Sequence, residues 1–140
     1  MLPDDLPLGL RFDRLGRIAA ARWPQVYGEL GIGKPALLVL VTLVREGAPL
    51  RQARLAERSG VDRATLVALL NELESRQLAA RAPDPADRRA HAVSITDAGR
   101  ALLLRALELE RGDDFFAALT PAELTTLGSL LSRLLAAHGE

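Results

Sequence analysis

The residues of this chain best suited to chemistry lie in a turn-rich segment that ends in two arginines, Pro83-Asp84-Pro85-Ala86-Asp87-Arg88-Arg89. Prolines and aspartates at this density are typical of a tight loop. A narrow A·T-rich minor groove has an enhanced negative potential that attracts an inserted guanidinium. We therefore predict that Arg88 or Arg89 enters a DNA minor groove, with Asp87 holding the Arg89 guanidinium through a charge-assisted hydrogen bond. The alternative is a solvated hairpin tip.

A second candidate surface follows the Ser59-Gly60 turn, where Asp62 is suited to cap a new helix. Leucines form a stripe on one face of this helix, and the other face is free to meet DNA. In the major groove, arginine suits guanine, asparagine suits adenine, and small apolar side chains suit the thymine methyl group. The predicted DNA-contacting residues are Arg51, Arg54, Asp62, Arg63, Thr65, Val67, Ala68, Asn71, Arg88 and Arg89. An ordinary exposed helix face is the alternative.

Arg11, Trp23 and Tyr27 form a third candidate set along the first predicted helix, where they would line a crevice for a small ligand. Aromatic residues at helical spacing also pack cores and dimer interfaces, so both interpretations stay open. The other reactive residue types form no recognisable site. No cysteine is present, the two histidines lack metal-site spacing, and no serine has a paired base at a familiar spacing. We expect no enzyme, no metal and no cofactor.

The elements that must position these residues are mainly helical. Leucine and alanine dominate, aromatic residues make up only 4% of the 140 residues, and the length suits one domain. The apolar run Leu37-Leu38-Val39-Leu40-Val41 predicts a buried central helix. Two short helices then precede a β-hairpin, in which His91, Val93 and Ile95 alternate with Ala92 and Ser94. Thr96 is placed to cap a long helix, and Thr120-Pro121-Ala122-Glu123 predicts a capping box before the last one.

Overall charge neither favours nor excludes a nucleic-acid partner. Eighteen basic residues balance eighteen acidic ones, so DNA binding has to rest on local patches. Residues 1–5 lack a signal-peptide pattern, and no apolar run approaches the roughly 20 residues of a membrane span. These features predict a cytoplasmic protein with no membrane partner.

Four stretches resemble the MarR (multiple antibiotic resistance regulator) family of winged helix-turn-helix regulators. They are residues 55–66, from Leu55 to Leu66; Leu73-Glu74-Ser75-Arg76-Gln77-Leu78; Asp84-Pro85-Ala86-Asp87-Arg88-Arg89-Ala90; and Ile95-Thr96-Asp97-Ala98-Gly99. The resemblance implies a mainly α fold of about six helices with a small two- or three-stranded β wing. It also implies one domain over residues 1–140, with a winged helix-turn-helix lobe at 34–96. Helices at 8–30 and 97–138 would intertwine with those of a second copy.

The same resemblance implies a transcriptional regulator, more often a repressor than an activator. It would bind double-stranded DNA at a pseudo-palindromic promoter site as a homodimer, with Arg89 as the minor-groove residue, and a small aromatic or phenolic effector would release it. Some positions depart from the family pattern. Arg51 stands where a capping Ser or Thr is usual, and Ala68 and Glu72 occupy positions that are often basic. The alternative is therefore a family member with degenerate DNA binding that acts through protein–protein contacts.

Overall fold

The fold was examined in a computed structural model, which describes residues 6–139. Residues 1–5, on which the signal-peptide prediction rests, lie outside the described residues. The helices are α1 (Leu8–Tyr27), α2 (Lys34–Glu46), α3 (Gln52–Ser59), α4 (Arg63–Ser75), α5 (Asp97–Gly112) and α6 (Pro121–Ala137), with a short 3-10 helix at Gly28–Leu30. The strands are β1 (Leu50–Arg51), β2 (Ala79–Pro83) and β3 (His91–Ile95). The order of elements is that of a winged helix-turn-helix, which confirms the predicted fold class.

Side-chain caps begin three of the helices at the residues that the sequence indicates. Asp62 accepts a hydrogen bond from the Thr65 backbone N–H at 2.9 Å at the start of α4. Thr96 accepts one from the Gly99 N–H at 3.0 Å at the start of α5. At α6, Thr120 and Glu123 form the reciprocal capping box. Each cap satisfies a backbone N–H that a helix end otherwise leaves unpaired, so these helix starts are fixed locally.

The core is built around α2, as its apolar run predicts. Val39 and Leu40 of α2 are completely buried together with Leu55 of α3 and with Leu66 and Leu70 of α4. Full burial of one such side chain stabilises the fold by about 1.5–3 kcal/mol relative to exposure. The leucines of α4 therefore fix which face of that helix turns outward.

The sheet is antiparallel and has the order β1-β3-β2. Strand β3 pairs with β1 through Val93 and Leu50, and with β2 over the whole length from Ala79 opposite Ile95 to Pro83 opposite His91. The predicted alternation of β3 is only partly correct, because Ala92 is buried as well as Val93. Ala92 lies between Arg51 and Ala82 in the central strand, where both neighbouring strands cover a small side chain.

Helices α1 and α6 contain no buried residue within the described range. Their large exposed apolar side chains are Leu8, Leu10, Phe12, Leu15, Ile18, Leu130, Leu134 and Leu135. No single helix in residues 6–139 is long and apolar enough to cross a membrane; Leu8–Leu30 and Lys34–Glu46 meet that criterion only together, across a 72° bend. Exposed apolar side chains that cluster on the same helices are typical of an interaction surface.

Gly99 is a position where the fold requires the absence of a side chain. It is buried in the first turn of α5, where an added Cβ would overlap the Leu78 carbonyl oxygen and press on the Ile95 side chain. We expect Gly99→Ala to lower the free energy of unfolding by about 1–3 kcal/mol, because the backbone has to move to relieve the overlap. Urea unfolding measures this change. Gly112→Ala, in open space at the end of α5, is the control, and equal stability of the two variants would contradict the expectation.

Candidate nucleic-acid interface

The side chains at the centre of the outer face of α4 are small and largely apolar. Arg63, Val67 and Asn71 are exposed on it, as are Ala64 and Ala68, opposite the buried leucines. Residues 63, 67 and 71 are spaced by one turn each and therefore form a single row along the helix. This row can present a cation, a branched apolar group and an amide to the edges of bases in a major groove.

Asp62 and Thr65 organise the start of α4. Besides the backbone N–H of Thr65, Asp62 accepts the Thr65 hydroxyl proton at 2.6 Å. These hydrogen bonds, the side-chain one first, hold the pKa of Asp62 below its usual range. The Thr65 hydroxyl is thus committed to the cap as a donor, and only its oxygen lone pairs remain for an outside partner.

Backbone contacts preorganise the tip of the hairpin. The Asp84 N–H donates to the Ala90 carbonyl at 2.8 Å, and the Asp84 carboxylate accepts from the Ala86 N–H at 2.9 Å. Asp87 accepts from the backbone N–H of Arg89 at 3.1 Å. Asp87 therefore holds Arg89 through the main chain, whereas the sequence-based expectation was a bond to the guanidinium. Arg88 and Arg89 are exposed and form no ion pair within residues 6–139.

Arg51 joins the wing, which is the hairpin of β2 and β3, to the helix-turn-helix, which consists of α3 and α4. Its Nε donates to Asp84 Oδ2 at 2.5 Å, and its Nη2 lies 4.0 Å from Asp87 Oδ2. The Arg51 guanidinium is the largest cause of the lowered pKa of Asp84. Because Arg51 ends β1 and immediately precedes α3, this ion pair fixes the wing relative to the short helices. Arg51 therefore holds the wing in place, which is a role beyond the DNA contact predicted for it from the sequence.

Arg54 is exposed on α3 and pairs with Glu57 at 2.8 Å. An exposed pair of this kind is weak and exchanges readily with other partners. Arg54 therefore remains available to a phosphate group.

Arg81 is a functional candidate that the sequence does not reveal. From β2 it forms an ion pair with Glu74 and donates from Nη2 to Asn71 Oδ1 at 3.1 Å. Asn71 and Glu74 are three residues apart and share a face of α4, which was visible in the sequence. The packing of α4 on β2 was not visible in the sequence, and this packing brings the Arg81 guanidinium to α4.

Of the three predicted ligand residues, Tyr27 alone lies at a cavity of about 530 Å³ between α2, α5 and the end of α1. Burial first, and the nearby Glu110 carboxylate second, raise the pKa of Tyr27 to about 12, and its hydroxyl donates to Glu110 at 3.2 Å. The Trp23 ring lies 4.5 Å from that of Tyr27 but outside the lining. Arg11 donates instead to the Leu6 carbonyl at 2.7 Å. The lining comprises Tyr27, Leu37, Val41, Val44, Arg45, Arg100, Leu103, Leu104, Ala106, Leu107 and Glu110.

Comparison with known proteins places this geometry in a family. The sequence model of the MarR family matches residues 30–90. The HTH-type transcriptional regulator PecS of Dickeya dadantii is 32% identical over 114 residues, which are 79% of this chain and 69% of PecS. The chain belongs to the MarR family.

Members of the MarR family are DNA-binding transcriptional regulators rather than enzymes. The HTH-type transcriptional repressor NicR of Pseudomonas putida is 38% identical over 65 residues, which are 46% of this chain and 41% of NicR. A further regulatory protein, from Thauera aromatica, is 34% identical over 71% of this chain. The chain spans 61% of the length of that protein.

Two solved structures bear on the site. A cysteine-to-serine variant of Escherichia coli MarR complexed with operator DNA superposes with a TM-score of 0.68 at 25% identity, covering 96% of this chain and 98% of that one. Bordetella bronchiseptica BpsR, whose DNA binding is regulated by 6-hydroxynicotinic acid, superposes with a TM-score of 0.68 at 26% identity, covering 91% and 92%. Within residues 6–139 no group of three or more acidic or histidine side chains is arranged to hold a metal ion.

The tether between Arg51 and Asp84 is expected to depend on pH. Because Arg51 lowers the pKa of Asp84, the tether is fully present above the ordinary aspartate pKa and is lost as pH falls through the lowered value. Asp84→Asn should mimic this loss at neutral pH and speed tryptic cleavage after Arg88 and Arg89. Asp13→Asn, which removes a surface pair with Arg17 on α1, is the control. Unchanged cleavage of the Asp84 variant would show that the wing does not need the tether.

Proposed function

We propose that this MarR-family regulator is a repressor that binds a pseudo-palindromic promoter site as a homodimer. One α4 enters the major groove of each half-site, and one wing tip enters the adjacent minor groove. The observation that carries this proposal is the wing: Arg88 and Arg89 form no ion pair with any residue from 6 to 139, and they are exposed at a hairpin tip that the Arg51–Asp84 pair ties to the helix-turn-helix. The match to an operator-bound MarR structure supports it, and the similarity to the repressor NicR supports a repressing role.

Each predicted DNA-contacting residue has a place in this proposal. Arg63, Val67 and Asn71 form the base-reading row, Asp62 and Thr65 set the start of the helix, and Ala68 leaves room beside the row for the thymine methyl group. Arg54 and Arg51 lie on the side of the phosphate backbone, with Arg51 also holding the wing. Arg89 is assigned to the minor groove, with Asp87 fixing its main chain.

The dimer in this proposal is formed by residues 8–30 and 97–138, and residues 34–96 form the DNA-binding lobe. The exposed apolar faces of α1 and α6 support it, because a second copy would remove them from water. A two-fold symmetric dimer also matches a pseudo-palindromic site, since each subunit meets an identical half-site about one helical turn from the other.

Binding of this dimer to DNA should be electrostatic and depend on the wing. We expect the logarithm of affinity to fall steeply and linearly with the logarithm of salt concentration. Arg89→Ala should weaken binding to a selected promoter fragment by about 1–3 kcal/mol, because a guanidinium is lost from the minor groove. Fluorescence anisotropy measures both quantities.

Arg58→Ala is the matched control for this experiment, because Arg58 pairs with Glu46 and lies outside both the proposed contact set and the proposed dimer ranges. Equal affinities for Arg89→Ala and the native chain would remove the wing from the interface. Little affinity at any salt concentration would favour the second candidate, a partner in protein–protein contacts. Ala68 and Glu72, which stand on α4 at positions that are often basic in the family, favour that candidate.

A small aromatic effector is the proposed release signal, and the cavity beside Tyr27 is its proposed site. The lining is mostly aliphatic, with Arg45 and Arg100 available to an anionic group. The regulation of BpsR by 6-hydroxynicotinic acid supports an effector of this class. An occupant between α2 and α5 contacts both the DNA-binding lobe and the proposed dimer helices, so it can favour one arrangement of the two.

A panel of aromatic carboxylic acids should therefore contain members that weaken DNA binding. Leu103→Trp should abolish this effect without changing affinity in the absence of the acid, because the larger side chain fills the cavity. Leu119→Trp, on an exposed side chain outside this cavity, is the control. Titration of the DNA complex by anisotropy measures the effect, and release that persists in Leu103→Trp would place the effector elsewhere.

A further inference from the structure

Asn71, at the C-terminal end of the base-reading row, is not a free amide. Arg81 Nη2 donates to its Oδ1 at 3.1 Å, while the Nε of the same guanidinium pairs with Glu74. Glu74 lies three residues beyond Asn71 on α4 and Arg81 lies on β2, so one planar group bridges helix and strand. The Glu74 carboxylate anchors one edge of the guanidinium and thereby directs another N–H toward Asn71.

This contact determines which way the Asn71 amide is turned. A guanidinium carries five N–H donors and no acceptor, so only the amide oxygen can face it. The amide oxygen and nitrogen lie on opposite sides of Cγ, and the NH₂ group therefore points away from Arg81. Because Asn71 is exposed on the outer face of α4, the group that it presents outward is a pure donor.

A pure donor does not suit adenine. Bidentate recognition of adenine requires the amide to accept from N6 and to donate to N7 at the same time, whereas guanine presents two adjacent acceptors, N7 and O6. We propose that Asn71, oriented by Arg81, selects guanine over adenine in the major groove, in place of the adenine expected from an asparagine alone. Arg81 is a positioning residue in this scheme. The inference rests on the proposed function, since it assumes that α4 reads DNA.

The experiment compares base preference rather than affinity. The full chain and the variants Asn71→Ala and Arg81→Met each select duplexes from one random library, and the affinities of duplexes that differ only by G·C or A·T at the Asn71 position are then measured. That position is the one where Asn71→Ala loses discrimination. The native chain is expected to favour guanine about 5- to 100-fold there, as a good base contact does. Arg81→Met should reduce this ratio or reverse it toward adenine, because the amide is free to turn.

Two further variants separate orientation from other effects. Arg89→Ala, in the wing, should lower the affinity for both duplexes and leave their ratio unchanged. Glu74→Gln keeps the Arg81 cation but weakens the ion pair that anchors it, so it should shift the ratio in the same direction as Arg81→Met. Thermal unfolding of each variant shows whether it is folded, and the Glu74 variant tests the orientation even where Arg81→Met does not fold.

The outcomes are distinct. An adenine preference in the native chain, or a ratio that neither Arg81→Met nor Glu74→Gln changes, would overturn the inference while DNA binding itself stands. A native chain that selects no duplex at any salt concentration would overturn the proposed function and this inference together.

Discussion

The burial of the α4 leucines determines the orientation of every other part of the proposed interface. Leu66, Leu70 and Leu73 are completely buried, and rotating the helix by a quarter turn would expose them at a cost of about 1.5–3 kcal/mol each. The outer row of Arg63, Val67 and Asn71 is thus set by the inner row of leucines. The packing of the core therefore determines which side chains of α4 face outward.

Two polar links attach this oriented helix to the rest of the chain. At its C-terminal end, Arg76 donates to the carbonyl oxygens of Gly31 and Leu30 at 2.9 and 3.0 Å, which joins α4 to the connection between α1 and α2. On the other side, Arg51 connects α3 with the wing through Asp84. Arg76 is therefore a contact through which a displacement of the α1–α2 connection would act on α4, and Arg51 would couple the wing to the short helices. This physical continuity is what regulation by an effector near Tyr27 requires.

Local signals explain how much of this arrangement was predictable. The caps at Asp62, Thr96 and Thr120 depend on residues close in sequence, and the structure confirms all three. The apolar run of α2 was also visible, but only Val39 and Leu40 of it are fully buried, and Leu38 is 44% exposed. Contacts between distant elements were not predictable in the same way. The two-residue strand β1 is too short to give a period, and the turn after α4 is formed by Gln77 at φ 58°, where a glycine would have been the recognisable signal.

The candidate site divides along the same line. Sequence patterns predict that Arg63, Asn71, Arg88 and Arg89 lie on exposed elements. They do not predict which side chains from other elements contact these residues. The bond from Arg51 to Asp84 spans 33 residues, and the cavity beside Tyr27 is lined chiefly by α2 and α5, without Arg11 or Trp23. Contacts between distant side chains depend on how the elements pack. The periodicity of a helix or strand does not predict this packing.

The distribution of ion pairs reconciles a chain of zero net charge with a polyanionic partner. Arg22 bridges Asp113 and Asp114 at 2.6 Å, and Arg105 bridges Glu29 and Glu108, so two arginines face four carboxylates there and the residual charge of these clusters is negative. Arg63, Arg88 and Arg89 form no ion pair in the described part of the chain. A phosphate backbone within a Debye length of about 8–10 Å responds to these local charges rather than to their sum over the molecule. Three exposed arginines on the wing and α4 are thus available to a phosphate backbone, although the net charge of the chain is zero.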